Sequence, residues 1–196
     1  PVDPQTQKDV AQFRRAERIR LMTLRRALSP DDLRDQSSKV SACLNTFLTP
    51  GPTVTIGAYW PIRGELDLRD WMKKAQANGA QVALPVVVKR DAPVEFHLWS
   101  PGCKMKRGIW NIPVPSKITP VVPDIVISPL LGVDAAGYRL GNGGGYYDRT
   151  LATFDVQPFK IGVGFKEQRL ETIYPQPHDV PMDAILHSSD LLNLNK

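Results

Sequence analysis

The chain has little of several things, and each scarcity narrows what it can be. Two cysteines, Cys43 and Cys103, stand sixty residues apart. That spacing makes neither a close-set zinc ligand pair nor a redox couple, so both are expected to be reduced thiols. No apolar run approaches the roughly 18 residues that span a bilayer. The first ten residues, PVDPQTQKDV, hold no apolar leader core, and a cytoplasmic protein is expected. Three histidines, His97, His178 and His187, show no ligand spacing and read as surface or satisfied side chains. No Ser–His–Asp or Cys–His order stands out, so acyl transfer through a side chain is not indicated. Internal repeats and low-complexity blocks are also missing.

What remains is ordinary in bulk. With 196 residues, 42% hydrophobic and 23% charged, the chain fits one domain with a full core. A net charge of +5 favours anionic partners without choosing among them. Helical spacing over residues 7–28 places Val10, Phe13, Leu21, Leu24 and Leu28 on one apolar stripe. Arg14, Arg18 and Arg25 run along its edge and, from the residues alone, read as a solvated basic face. Ser29-Pro30-Asp31-Asp32 caps a second helix to Phe47. Strands are expected over 53–59, 81–88, 94–98, 124–131 and 160–165, with helices over 66–78 and 146–154. Residues 113–123 read as an extended connector, the tail as mixed and residues 1–6 as flexible. Alternating strands and helices predict a three-layer α/β domain, helices on both sides of a largely parallel central sheet. Ligands in such sheets bind beyond the strands' carboxyl ends.

The densest signal is GYRLGNGGGYYDR, Gly137 to Arg149. Glycines at 141, 143, 144 and 145 let backbone approach a ligand closely. Successive N–H groups there make an anion-binding concavity, and Arg139 and Arg149 add full charges. Asp148 can hold a hard cation beside bound phosphate, or simply cap its helix. The loop lacks the Lys-Ser/Thr of a Walker P-loop, since Tyr146 follows the last glycine, and it lacks the distant acid of a dinucleotide fingerprint. Asp134, just before it, reads as structural.

Arg139 to Asp148 match, at every fixed position, the Arg-Leu-Gly-x-Gly-x-Gly-Tyr-Tyr-Asp loop of the 5-formyltetrahydrofolate cyclo-ligase family, which this chain resembles along nearly its whole length. Weaker echoes lie at Ser29, Gly64-Glu65, Trp110-Asn-Ile-Pro and Phe165-Lys-Glu-Gln. The resemblance implies ATP-dependent closure of 5-formyltetrahydrofolate to 5,10-methenyltetrahydrofolate through a phosphorylated formyl group, with ATP as co-substrate and Mg²⁺ bound. It implies ATP contacts from Arg14, Arg18, Arg139, Gly141, Asn142, Gly143, Gly144, Gly145, Tyr146 and Tyr147. The family has lysine where Arg14 stands, a departure that exchanges a point charge for a planar fork. Arg139 and Tyr147 are the implied catalytic pair. Trp60, Glu65, Trp110 and Tyr147 are the implied substrate contacts, and Asp148 and Asp183 the implied metal ligands. The alternative readings are core for Trp60 and for Trp110, a carboxylate complementing a helix dipole for Glu65 and a turn residue for Asp183.

The implied partners are a reduced folate, with or without a polyglutamate tail that Lys104, Lys106 and Arg107 could meet, and ATP. Neither nucleic acid nor membrane is expected, and a monomer is favoured. Two other readings remain: a paralogue that binds ATP or folate without this activity, and a basic nucleic-acid-binding protein. Against the second, the six arginines between Arg14 and Arg26 are not interleaved with stacking aromatics.

Overall fold

The computed structural model describes residues 4–187 and 190–194. Helix α1 (Pro4–Arg26) leads into α2 (Pro30–Phe47), whose start is fixed chemically. Pro30 sits in the first turn, the Ser29 hydroxyl accepts from Asp32 N–H at 3.1 Å, and the Asp32 carboxylate accepts from Ser29 N–H at 3.2 Å. This reciprocal box satisfies two donors the helix start leaves open. Strand β1 (Thr55–Gly57) is followed by α3 (Arg69–Ala77), β2 (Gln81–Val86) and β3 (Glu95–Trp99). Then come β4 (Met105–Arg107), β5 (Pro113–Pro115), β6 (Pro120–Val121) and β7 (Ile125–Pro129). Next are β8 (Gly132–Asp134), β9 (Arg139–Leu140), α4 (Tyr146–Leu151) and β10 (Phe159–Gly164). The last elements are β11 (Arg169–Leu170), β12 (Ala184–His187) and β13 (Asp190–Asn193).

Eight strands form the central sheet, in the order β13-β12-β10-β7-β1-β2-β3-β6. The five from β12 to β2 are mutually parallel, and the outer three pair antiparallel. Alternation along the strands sorts side chains to two faces. Val82, Leu84, Ile127, Ile161, Ala184 and Leu186 pack with α2 and α3. Ala83, Val126 and Ile185 point the other way and pack near Leu151 of α4. A third cluster joins Leu21 of α1 to Leu131, Leu140 and Ile173. This is the expected α/β class, helices on both sides of a largely parallel sheet. Trp71, 2% exposed, anchors the α3 face. Trp71→Ala is expected to cost about 3–5 kcal/mol in chemical denaturation, from lost burial and the cavity left behind.

Several boundaries differ from expectation. α1 begins at Pro4, inside the stretch expected to be flexible, while residues 1–3 lie outside the described residues. Leu24, expected on the buried stripe, is 44% exposed, and Arg25 is 4% exposed instead. The helix packs with its arginine edge inward, because that edge faces a polar cleft rather than an apolar layer. Residues 113–123 are not a bare connector: β5 pairs with β4 and β6 with β3. The glycine loop leaves not the central strand but β9, in a hairpin that pairs β8 with β9 and β11. Asp134 shapes that hairpin, accepting from Ala136 and Tyr138 N–H, both at 3.0 Å. Strands of two or three residues carry too little periodicity to read from sequence.

Candidate active site

A cleft of about 780 Å³ opens at the carboxyl ends of β1, β2 and β7. Tyr59 to Ile62 leave β1 into it, Pro85 and Val87 close β2, and Pro129 and Leu131 follow β7. Helix α1 contributes Arg14, Arg18 and Arg25. Gly141 to Gly145 and the start of α4 form the facing wall. The strand-end rule therefore places the glycine loop correctly, although a small hairpin delivers it.

Loop geometry explains its glycines. Gly143 and Gly145 hold φ of +101° and +63°, a region costly for residues with a Cβ. At Gly141 a Cβ would stand 2.9 Å from the Arg139 guanidinium. Arg18 Nε donates to the Gly141 carbonyl at 2.8 Å, which ties α1 to the loop. Burial, and then the neighbouring Arg14, pull the Arg18 pKa down. Arg139 is 8% exposed and its guanidinium lies 4.6 Å from the Tyr147 ring centroid. The buried Arg139 Nε and the buried Tyr147 hydroxyl each have no hydrogen-bond partner among the described residues. Burial drives the Tyr147 hydroxyl pKa well up, so it is a donor in need of an acceptor. Tyr146 takes Asp91 N–H on its hydroxyl at 3.0 Å, and Arg149 lies 5.5 Å from its ring centroid.

At the other end stands Glu65, 7% exposed. Ile62 N–H donates to its Oε2 at 3.0 Å. Burial pushes its pKa up to about 7, opposed by that hydrogen bond and by Arg25, Arg139 and Arg63. Arg139 acts electrostatically on both Glu65 and Arg18, so it stands between the two ends. Trp60 is half-buried in the wall, with the Arg69 guanidinium 5.0 Å from its ring centroid.

The third wall, Pro177 to Val180, was not foreseen. Arg14 fixes it: Nε donates to the Ile173 carbonyl at 2.9 Å and Nη2 to the Tyr174 carbonyl at 2.9 Å. Its fork also pairs with both oxygens of Asp179. Burial alone would raise the Asp179 pKa, but Arg14 and Gln176 N–H bring it below its ordinary value. A lysine could not make this fan of bonds. Val180 N–H donates to Asp148 Oδ1 at 3.0 Å, which joins the same wall to α4.

Two expected site residues are not brought into the cleft. Trp110 is 48% exposed at φ +54° and meets the cleft only through Tyr146, edge-on at 5.3 Å. Asp183 sits at the amino end of the sheet, accepting from Lys160 N–H at 2.7 Å and pairing with Lys160 Nζ at 3.0 Å. That is the end away from the cleft, so it cannot share an ion with Asp148. Among the described residues no three His, Cys, Asp or Glu side chains cluster for a metal. Nor is any described helix long and apolar enough to cross a membrane. Missed by sequence were Asp179, whose role depends on a contact 165 residues away, and the buried Arg25, visible only as the next member of the arginine edge.

The model of the 5-formyltetrahydrofolate cyclo-ligase family matches residues 10–188. An Escherichia coli K12 protein named 5-formyltetrahydrofolate cyclo-ligase is 28% identical over 174 residues, 84% of this chain and 94% of its own length. The Mycoplasma pneumoniae protein of that name is 30% identical, over 88% and 96%. Among solved structures, the Aquifex aeolicus 5,10-methenyltetrahydrofolate synthetase superposes with a TM-score of 0.80 at 26% identity, covering 94% of each chain.

Proposed function

This chain belongs to the 5-formyltetrahydrofolate cyclo-ligase family, and we propose that its cleft closes 5-formyltetrahydrofolate to 5,10-methenyltetrahydrofolate at the expense of ATP. The observation that carries this reading is the Arg139–Tyr147 pair, two unpartnered buried donors set between an arginine-and-glycine anion cradle and a buried carboxylate. One end suits phosphate oxygens, the other the amino and N–H edge of a pterin, and the donors between them suit the atoms that react.

A formamide oxygen is a poor leaving group until phosphorylated. The formyl oxygen attacks the γ-phosphorus, an O–P bond forms and ADP departs. The neighbouring folate nitrogen then attacks the activated carbon and loses its proton. The C–O bond breaks, phosphate leaves and the ring is closed. Such transfer needs positioning and charge neutralisation rather than a protein nucleophile. Arg18 and the N–H groups from Gly141 through Asn142, Gly143 and Gly144 to Gly145 hold the phosphate chain. Arg139 neutralises the charge moving onto the transferred group. Tyr147 donates to the formyl oxygen and then to the departing phosphate. Tyr146 separates nucleotide from folate, while Trp60 and Glu65 seat the pterin. Arg14 acts at the same end by holding the Asp179 wall, and Trp110 closes the rim against Tyr146.

Mg²⁺, which neutralises phosphate charge when bound, fits one carboxylate here. Asp148, which lines the cleft, would be the residue to hold it. We propose further that the chain is one domain and acts as a cytoplasmic monomer without nucleic-acid or membrane partners. In support, three of the α1 arginines line the cleft rather than an outer face. A polyglutamate tail would leave past the exposed Lys106 and Arg107 of β4.

The test is absorbance in the methenyltetrahydrofolate band with purified protein, 5-formyltetrahydrofolate, Mg²⁺ and ATP. A rise that requires ATP supports the reading, and a flat trace from folded protein that still binds ATP selects a non-catalytic paralogue. Tyr147→Phe separates chemistry from fold. It removes a buried hydroxyl with no partner, so the melting temperature should hold or rise, while turnover falls about 10–100-fold with a loss of one charge-facing donor. Full activity in this variant would remove Tyr147 from the reaction.

A further inference from the structure

Arg25 is a buried charge that the mechanism above leaves unused. It is 4% exposed, one turn beyond the fully buried Leu21 on the inward face of α1, and it lines the cleft. Its Nε is buried without a partner, and the side chain's one hydrogen-bond contact among the described residues is Nη2 to Met22 Sδ at 3.6 Å. No carboxylate grips it, although five N–H donors are available. Burying such a group uncompensated is costly, and its pKa is pulled down by that burial. Its stem packs on the turn that carries Glu65: a Cβ at Gly64 would stand 3.5 Å from Arg25 Cγ. Gly64 holds φ +76°, and across this turn the Arg25 charge acts on the Glu65 carboxyl with no ion pair joining them.

A carboxylate beside an unsatisfied guanidinium is an acceptor next to donors. The complementary ligand edge is two donors next to an acceptor. A 2-amino-4-oxo pteridine carries that edge, with the amino group and ring N–H meeting Glu65 and the 4-oxo group beside them. The geometry points to Arg25 as a specificity-determining residue that donates to the 4-oxo oxygen and rejects rings bearing a 4-amino group. The inference rests on the folate reading of the Glu65 end. A 4-amino ring presents N–H donors to a cation already short of acceptors, so the pocket should discriminate by leaving both unpaired.

The test compares 5-formyltetrahydrofolate with a 2,4-diamino pteridine analogue by titration calorimetry, on wild type, Arg25→Leu and Arg25→Lys. Leucine favours helix and suits the site's burial, so the variant should fold, which its melting curve checks. Expected is a loss of tenfold or more in affinity for the 4-oxo ligand in Arg25→Leu, affinity for the diamino ligand unchanged or improved, and partial recovery of 4-oxo binding in Arg25→Lys. A purely structural role would weaken both ligands alike and overturns the inference, as does unchanged binding of the 4-oxo ligand. Failure of wild type to bind 5-formyltetrahydrofolate overturns the folate reading itself, and the inference with it.

A second readout belongs to Glu65. The groups facing it are Arg25 from α1, Arg139 from β9, Arg63 from its own turn, and Tyr59 and Tyr147 from the walls. Removing the Arg25 charge leaves the carboxyl easier to protonate. The pH at which 4-oxo binding falls off should therefore move upward in Arg25→Leu and stay near its wild-type value in Arg25→Lys, which keeps the charge beside the carboxyl.

Discussion

Arg139→Ala should lower kcat/KM for 5-formyltetrahydrofolate by about 10²–10³-fold, the scale seen when one preorganised donor is taken from a developing charge. The protein should stay folded. Arg139 lies in β9, a strand of two residues whose pairing is carried by backbone, and Leu140 beside it keeps the packing against Leu21. The loss of the contact with Tyr147 is worth on the order of 1 kcal/mol, but a buried Nε without a partner disappears with it. The two effects oppose each other in stability and add in activity. Arg139→Lys keeps the charge yet cannot both stack on Tyr147 and reach phosphate with a fork, so it should recover only part of the rate. Steady-state absorbance kinetics with a parallel melting curve reads both. Wild-type turnover in folded Arg139→Ala would remove Arg139 from the chemistry.

Glu65→Gln should cost about 100-fold in KM and make the protein more stable above neutral pH. The KM effect follows from geometry, because an amide offers one acceptor and one donor where the ring edge asks for two acceptors. The stability effect follows from burial. The folded carboxyl titrates near 7 against an ordinary value of 4.5, so between those values the folded state holds a proton the unfolded chain has lost. Stability is then highest below about 4.5 and falls as pH rises through 7. Glutamine is never ionised and avoids that loss. Denaturation at pH 8 should favour Glu65→Gln by on the order of 1–3 kcal/mol, and the difference should vanish near pH 4. Equal stability at both pH values would mean that Glu65 is not held in a desolvated site. Binding of the pterin by wild type should weaken as pH drops below about 7, since the protonated carboxyl accepts poorly.

Much of this was legible in the chain, for reasons that differ by residue. The α2 start was readable because Ser29, Pro30 and Asp32 are a local signal completed within one turn. Buried central strands were readable as apolar runs, and their parallel order followed from alternation with helices. The glycine loop announced itself because close backbone approach leaves only glycine. What failed to show depended on distant partners. The small hairpin that carries Arg139 is stabilised by Asp134 and by β11, whose Arg169 pairs with Val133 thirty-six residues earlier. Arg14 matched a nucleotide position in the resembling family, yet in this fold its donors go to Ile173, Tyr174 and Asp179. Leu24 and Arg25 exchanged burial because a helix facing a polar cleft does not follow the hydrophobic stripe. Asp183 resembled a metal ligand in sequence, but its chain position before β12 puts it at the sheet's other end, against Lys160.

The most direct measurement follows the formyl oxygen. Substrate labelled with ¹⁸O in the formyl group, turned over with unlabelled ATP and Mg²⁺, should release phosphate carrying one ¹⁸O per methenyl product formed. That outcome requires an O–P bond to the formyl oxygen and its departure as phosphate. Unlabelled phosphate, or methenyl product formed without ATP, would contradict it.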